Sequence, residues 1–269
     1  MPLDRKKHYL QVALNSTLEE ARQIIAALPY SDRILIEAGT PLIKRYGTEG
    51  IEKLRLYWSQ KSNPLAPVVG KKLSGVKTGG LLDVLMLLLN PELSTLSQKK
   101  PVALSQSKNA IAPYIVADLK CMDRGEAEVT LAAQAGASAA VVLGSAPIET
   151  INRFISHCQK LGIDAMVDMM AIDQPIKILR RLKKMPAVVI LHRGVDETAD
   201  NKTKTLPIHQ INKVKGTANV LIAVAGGDTP RDVQSAVFNG ADIVVVWKDF
   251  YQATDSTAQL AESFLKNIK

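Results

Sequence analysis

Eight short apolar runs, rich in Val, Ile and Leu, recur along this 269-residue chain, and each is followed by a stretch of helical periodicity. Residues 9–14 precede a helix at 17–28. Residues 34–38 precede 41–57, which Gly47 breaks into two pieces. Residues 114–119 lead into 125–135, 139–143 into 148–161, and 164–169 into 175–183. Residues 187–192 lead into a polar loop and a weak short helix near 208–214. Residues 219–225 lead into 229–239, and 243–247 into 257–267. The strands lack clean period-two alternation, as strands do in a parallel sheet covered on both faces. Eight strand–helix units at this length predict one α/β domain over residues 1–269, a (β/α)8 TIM barrel. A doubly wound open sheet is the runner-up. It would want a GxGxxG turn after the first strand, where LQVALNST stands instead.

One segment breaks the rhythm. About fifty residues, 59–109, separate the second helix from the third strand, where such a connection usually needs about 2–6. This insertion holds seven lysines against two acids, Asp83 and Glu92, so it carries five of the chain's eight net positive charges. It also holds an apolar, helix-like block at 81–89, stopped by Asn90-Pro91. The plain reading is an ornament packed on the barrel. The sharper one is a lid or subunit contact that brings positive charge to an anionic ligand.

The overall balance is 34 Lys and Arg against 26 Asp and Glu. A net charge of +8 suits anionic partners, and a phosphorylated small metabolite is one. Aromatic residues make up only 4% of the chain, too few for a base-stacking surface, which argues against nucleic acid. The longest apolar run, 81–89, is far short of the roughly 20 residues a bilayer requires, so no membrane span is expected. The first residues, MPLDRKKHYL, lack the apolar core of a signal peptide. Two cysteines, Cys121 and Cys158, make neither a disulfide framework nor a zinc site. A reduced, cytoplasmic setting is the simplest expectation.

In a β/α barrel the reactive groups sit where strands end and the following loops begin. Those ends carry Asn15, Glu37, then Asp118, Lys120 and Asp123, then Asp168, His192 and Arg193, then Gly226, Gly227 and Asp228, and finally Trp247, Lys248 and Asp249. Asp118 and Lys120 are two apart on a strand, so both project into the barrel mouth, while Leu119 faces the helices. Asp123 lies just past the strand and can swing back or reach a neighbouring subunit. An ammonium flanked by carboxylates stays charged, and a fixed cation there stabilises a developing carbanion or enolate. Glu37 and Asp118, hard oxygen donors on neighbouring strands, suit Mg²⁺. His192 sits where it can move protons at neutral pH. His8, His157 and His209 fit no such position and read as surface or packing residues. The glycine turn at 226–227 runs into a helix N-terminus, a place where backbone N–H groups bind phosphate.

Taken in order, LQVALN, IEAGTPLIKRYG, ADLKCMDRGEAEV, AGASAAVVLGSAPIETI, VDMM, LHRGVD and AVAGGDT resemble the 3-hexulose-6-phosphate synthase family. That family shares its DxKxxD strand with orotidine-5′-phosphate decarboxylase and 3-keto-L-gulonate-6-phosphate decarboxylase. The resemblance runs from about Tyr9 to the C-terminus, omitting the insertion. It implies a β/α barrel homodimer with active sites near the subunit interface. It implies Mg²⁺ on Glu37 and Asp118, Lys120 beside an enediolate, Asp123 contributed across the dimer, and His192 as the proton-handling histidine. Asp168 matches an acidic substrate position, beside which Asn15 and Arg193 are taken as substrate-facing. Gly226 and Gly227 match the phosphate loop, to which Lys248 adds a point charge. The implied reaction is the reversible aldol addition of formaldehyde to ribulose 5-phosphate, giving 3-hexulose 6-phosphate.

Three positions depart from the pattern. The family's first strand usually ends in Asp, where this chain has Asn15, which keeps the shape but not the charge. Its eighth strand usually ends in Gly-Gly or Gly-Arg, where this chain has Trp247 and Lys248. The insertion directly precedes the catalytic strand. Besides a Mg²⁺-dependent aldolase, two readings therefore stand: the same enolate machinery on another phosphorylated substrate, or a non-catalytic barrel that binds anions or a partner through 59–109.

Overall fold

In the computed structural model, which describes residues 2–62, 111–201, 203, 205–227, 229–247 and 257–267, every side chain of the first strand, β1 (Tyr9–Leu14), is buried. So is every side chain of β2 (Ile34–Ala38), and the full set runs on through β3 (Ile115–Cys121), β4 (Ala139–Leu143), β5 (Asp164–Asp168), β6 (Val188–His192), β7 (Leu221–Ala225) and β8 (Ile243–Val246). The eight pair in sequence order, all parallel, and β8 pairs back onto β1 to close the barrel. The expected (β/α)8 architecture is therefore the observed one.

Two apolar clusters explain why the strands read as continuous hydrophobic runs. Inside the barrel, Tyr9, Ala13, Leu35, Val116, Val141, Met166 and Ile190 belong to one cluster. Outside, Leu10, Val12, Leu14, Ile36, Ala117 and Val167 pack with the helices in the other. Alternation is present in every strand, but both faces meet apolar partners. At the C-terminal ends the inner-face positions turn polar.

The helices form where the periodicity predicts. In α1 (Leu18–Ala27), Thr17 caps the N-terminus by accepting from Glu20 N at 3.2 Å. Gly47 separates α2 (Thr40–Tyr46) from α3 (Thr48–Ser62). Because α3 runs to Ser62, the first four residues assigned to the insertion are helix. The remainder of it, 63–109, lies outside the described residues. The chain re-enters at Ile111, whose carbonyl accepts from Trp58 Nε1 at 3.3 Å. Then α4 (Gly125–Gln134) packs on α5 (Ile148–Leu161), which buries Ile151, Phe154, Ile155 and Cys158 on one face. Gly125 permits the close approach, since a Cβ there would lie 3.2 Å from the Phe154 Cβ. Burying Phe154 contributes roughly 2–3 kcal/mol.

After β5 the helix is shorter than expected. Only α6 (Pro175–Leu179) forms of the helix read at 175–183. The loop after β6 contains α7 (Val195–Asp200), and the weak helix near 208–214 is a 3₁₀ turn at Pro207–Gln210 leading into α8 (Ile211–Lys215). The last two are α9 (Pro230–Phe238) and α10 (Thr257–Asn267). Among the described residues no helix is long and apolar enough to cross a membrane. Cys121 and Cys158 are free and buried, and burial first of all pushes both thiols up to about 12.

Candidate active site

The polar inner-face residues of β2, β3, β5 and β6 meet at the barrel mouth. Lys120 is at their centre. Its Nζ donates to both Asp118 oxygens, at 3.1 and 3.0 Å, and to Asp168 Oδ2 at 3.0 Å. Burial pulls this ammonium down, but the charges of Asp118 and Asp168 outweigh it and hold the group above the ordinary lysine value. Lys120 is therefore a permanent cation held between two carboxylates.

How it gets there differs from simple strand alternation. Between the pairs Ala117–Ala140 and Cys121–Val142, four residues of β3 advance while β4 advances two. The excess is a bulge, and within it Lys120 adopts φ 45°, a left-handed conformation rare for a side chain with a Cβ. An even excess keeps Ala117 and Cys121 in the outer cluster, so Asp118 and Lys120 still face inward, as expected. The other left-handed non-glycine residues among those described are Arg124, at the cap of α4, and Ala171, three residues after Asp168. Strain thus gathers beside the charged ring, as it does at functional sites.

Asp168 is 1% exposed and ties the ring together. Its Oδ2 accepts from Lys120 and lies 2.8 Å from His192 Nδ1, while its Oδ1 accepts from Met170 N at 2.9 Å. Burial pushes Asp168 up, yet His192 and Lys120 together hold it below the usual carboxylate value. Burial likewise pulls His192 down, and its bond to Asp168 more than compensates, leaving it above the ordinary imidazole value. An ionised Asp168 requires a proton on Nδ1, so Nε2 is the nitrogen that exchanges protons.

Glu37 is 8% exposed. Burial, then the Asp118 charge, pushes it up to about 7, against the opposing pull of the Gln11 amide and Lys120. Gln11 Nε2 donates to its Oε2. Thr40 Oγ1 lies 2.9 Å from Asp118 Oδ2 and 2.8 Å from the Asp118 carbonyl oxygen, so its one proton is shared between them. Gln11 and Thr40 escaped the sequence reading. The signal for Gln11 was there, a polar residue on an inner-face position of an otherwise apolar strand. Thr40 is positioned by the β2–α2 turn, which only the fold reveals.

Other candidates stand at the edge of this ring. Asn15 leans over Gly39, where any Cβ would overlap its Oδ1, which explains the glycine of the IEAGT stretch. The Arg193 guanidinium donates to the Gly226 carbonyl at 2.6 Å, so it braces the β7–α9 turn. Gly226 has φ 91°, and a Cβ there would overlap the Arg193 carbonyl oxygen. Gly227 follows, and Thr229 and Asp232 cap α9 reciprocally. Trp247 is half-buried and packs against the inner barrel cluster, so its indole belongs to the mouth. Asp123 is exposed and is not drawn into the ring of its own chain. Lys248 and Asp228 lie outside the described residues.

The chain matches the profile of the orotidine 5′-phosphate decarboxylase / HUMPS family over residues 88–263. It is 35% identical to a bifunctional enzyme Fae/Hps of Methanosarcina mazei over 97% of its own length and 52% of that protein. It thus spans about half the length of the curated relatives it matches. Among solved structures, 3-hexulose-6-phosphate synthase from Salmonella typhimurium shares the fold at TM-score 0.67 and 22% identity, covering 97% of this chain and 98% of that one. A second 3-hexulose-6-phosphate synthase matches at TM-score 0.66 and 25% identity, covering 97% and 100%.

Proposed function

The chain belongs to the orotidine 5′-phosphate decarboxylase / HUMPS family, and from that premise we propose that it is an aldehyde-lyase of the 3-hexulose-6-phosphate synthase type. The substrates are ribulose 5-phosphate and formaldehyde, joined reversibly through an enediolate. The observation that carries this reading is the Lys120 ammonium clamped between Asp118 and Asp168 with His192 alongside.

Each residue then has a task. His192 Nε2 takes the proton from C1 of the pentulose while Asp168 keeps Nδ1 protonated and the ring oriented. The negative charge that develops on the enediolate oxygens is met by Lys120, which is already in place and already charged. C1 then attacks the formaldehyde carbon, and the proton goes to the new hydroxyl oxygen. Gly226 and Gly227 offer backbone N–H groups to the phosphate. Arg193 keeps their turn in shape, and Lys248 adds charge.

Glu37 and Asp118 fit Mg²⁺. They are hard oxygen donors on adjacent strands, and Glu37 is a buried carboxylate that a cation would relieve. No group of three His, Cys, Asp or Glu side chains is poised for a metal among the described residues, so water and substrate oxygens would complete the shell. When bound, the ion supplies Lewis-acid polarisation of the substrate carbonyl. We further place the enzyme in the cytoplasm as a homodimer, where two free buried thiols stay reduced and the exposed Asp123 serves the partner's site.

A second reading rests on Trp247 and Asn15. An indole packed at the mouth narrows the strand-eight side and would select a different phosphorylated substrate for the same machinery. One assay separates the two. Purified protein is incubated with ribulose 5-phosphate, formaldehyde and Mg²⁺, and formaldehyde loss is followed with and without EDTA. Metal-dependent consumption that disappears in Lys120→Ala supports the synthase. No consumption by a protein that binds metal transfers the assignment to the second reading.

A further inference from the structure

Gln11 sits where an apolar residue would be cheaper. It is 1% exposed, on the inner face of β1, level with Leu35 and one layer below Glu37. Around it the inner face is Tyr9, Ala13, Leu35 and Val116. Tyr9 is the polar one among these, and its hydroxyl is engaged with the Asp4 backbone. Gln11 Nε2 is satisfied by Glu37, but its Oε1 is buried and has no hydrogen-bond partner among the described residues. An orphaned amide oxygen in an apolar interior is destabilising. A leucine or methionine would avoid that cost.

The two polar atoms of an amide share one carbon, so the donation of Nε2 to Glu37 also fixes where Oε1 stands. An ion held by Glu37 and Asp118 would bring its water molecules to the Glu37 carboxylate. Mg²⁺ gives up its water reluctantly and usually keeps several molecules, each with protons to donate. We propose that Gln11 is a positioning residue for a divalent cation, its Nε2 fixing the Glu37 carboxylate and its Oε1 accepting from a water of the ion's hydration shell. This rests on the metal part of the reading above. Outer-shell partners of this kind typically set metal affinity by about 10–100-fold. The competing account is purely internal: Gln11 caps a protonated Glu37 and has no part in ion binding.

Mn²⁺ titration of the full chain, followed by the EPR signal of free Mn²⁺, separates these accounts. The comparison is wild type, Gln11→Met and Gln11→Glu at pH 8, each also melted in EDTA. Gln11→Met should bind Mn²⁺ about 10–100-fold more weakly, a loss larger than its metal-free melting temperature alone accounts for. Gln11→Glu gives up the Nε2 donor but keeps an acceptor and adds charge, and should bind within tenfold of wild type or more tightly. A Gln11→Met protein with Mn²⁺ affinity within twofold of wild type, and a lower metal-free melting temperature, overturns the proposal in favour of the internal cap. If Gln11→Met does not fold, Gln11→Glu binding tenfold more weakly than wild type overturns it instead. A wild-type protein that binds no Mn²⁺ overturns this inference and the metal reading together. Equal binding by wild type and Gln11→Met overturns this inference alone.

Discussion

His192 Nδ1 lies 2.8 Å from Asp168 Oδ2, and the bond raises the histidine while lowering the acid. Two signs follow. The His192 contribution is complete below its ordinary value of 6.5 and is lost as pH rises through its higher folded value. The Asp168 contribution is complete above 3.8 and is lost as pH falls through its lower folded value. Comparing wild type with His192→Gln by urea unfolding should show a gap of about 1–3 kcal/mol near pH 5.5. That gap should shrink at pH 9. A gap constant across this range would mean the pair is not charge-assisted.

Lys120 should reverse a familiar order of stability. At an ordinary strand position alanine is more stable than glycine. At φ 45° the left-handed backbone favours glycine instead. Lys120→Gly should therefore exceed Lys120→Ala by about 1 kcal/mol, although both lose the ion pairs and both lose activity. Chemical denaturation of the two variants measures it. Alanine coming out ahead would show that the bulge relaxes once the ammonium is gone.

Gly39 and Asn15 should behave as a coupled pair. A Cβ at 39 overlaps Asn15 Oδ1, so Gly39→Ala should cost about 1–3 kcal/mol. In an Asn15→Ala background the cost should fall by half or more. The Leu14 carbonyl, 3.1 Å from the same Cβ position, retains the rest. A thermodynamic double-mutant cycle reads the coupling directly, and additive costs would place Asn15 elsewhere.

Glu37 should destabilise the metal-free protein at alkaline pH. Its folded value, about 7, stands above the ordinary 4.5, so stability present below 4.5 is lost as pH rises through 7. In EDTA, Glu37→Gln should be more stable than wild type by about 1–3 kcal/mol at pH 8 and equal to it near pH 4.5. Thermal melts at the two pH values test this. A variant that is less stable at pH 8 would mean the carboxylate is better solvated than its burial implies.

Much of this site is legible in the sequence. The strand–helix rhythm specified the closed barrel, because fully covered parallel strands leave only continuous apolar runs to read. Glu37, Asp118, Lys120, Asp168 and His192 could be named from their places at strand ends. What stayed hidden depends on register and on turns. No pattern in ADLKCMD announces a two-residue excess in β3. Arg193 reads as substrate-facing, and only the β6–β7 pairing reveals that its guanidinium reaches the Gly226 carbonyl. The short α6 illustrates a related limit, since 175–183 has helical periodicity yet the helix ends at Leu179, and Leu182 reaches the core from the turns that follow.

The bulge in β3 also bears on how the chain finds its alignment. Sliding one strand by a single residue exchanges its two faces, and the apolar pattern forbids that at once. Sliding by two leaves every face correct, so hydrophobic burial is nearly blind to the error. In this barrel such a slip would carry Lys120 away from the level of Asp168 and break their ion pair. Asp118 moves with Lys120 and stays paired to it, while Asp168, almost fully buried, is left without the ammonium, a costly intermediate. The residues assigned to chemistry thus double as a proofreading mark for folding, sensing the one misalignment that the greasy positions around them accept.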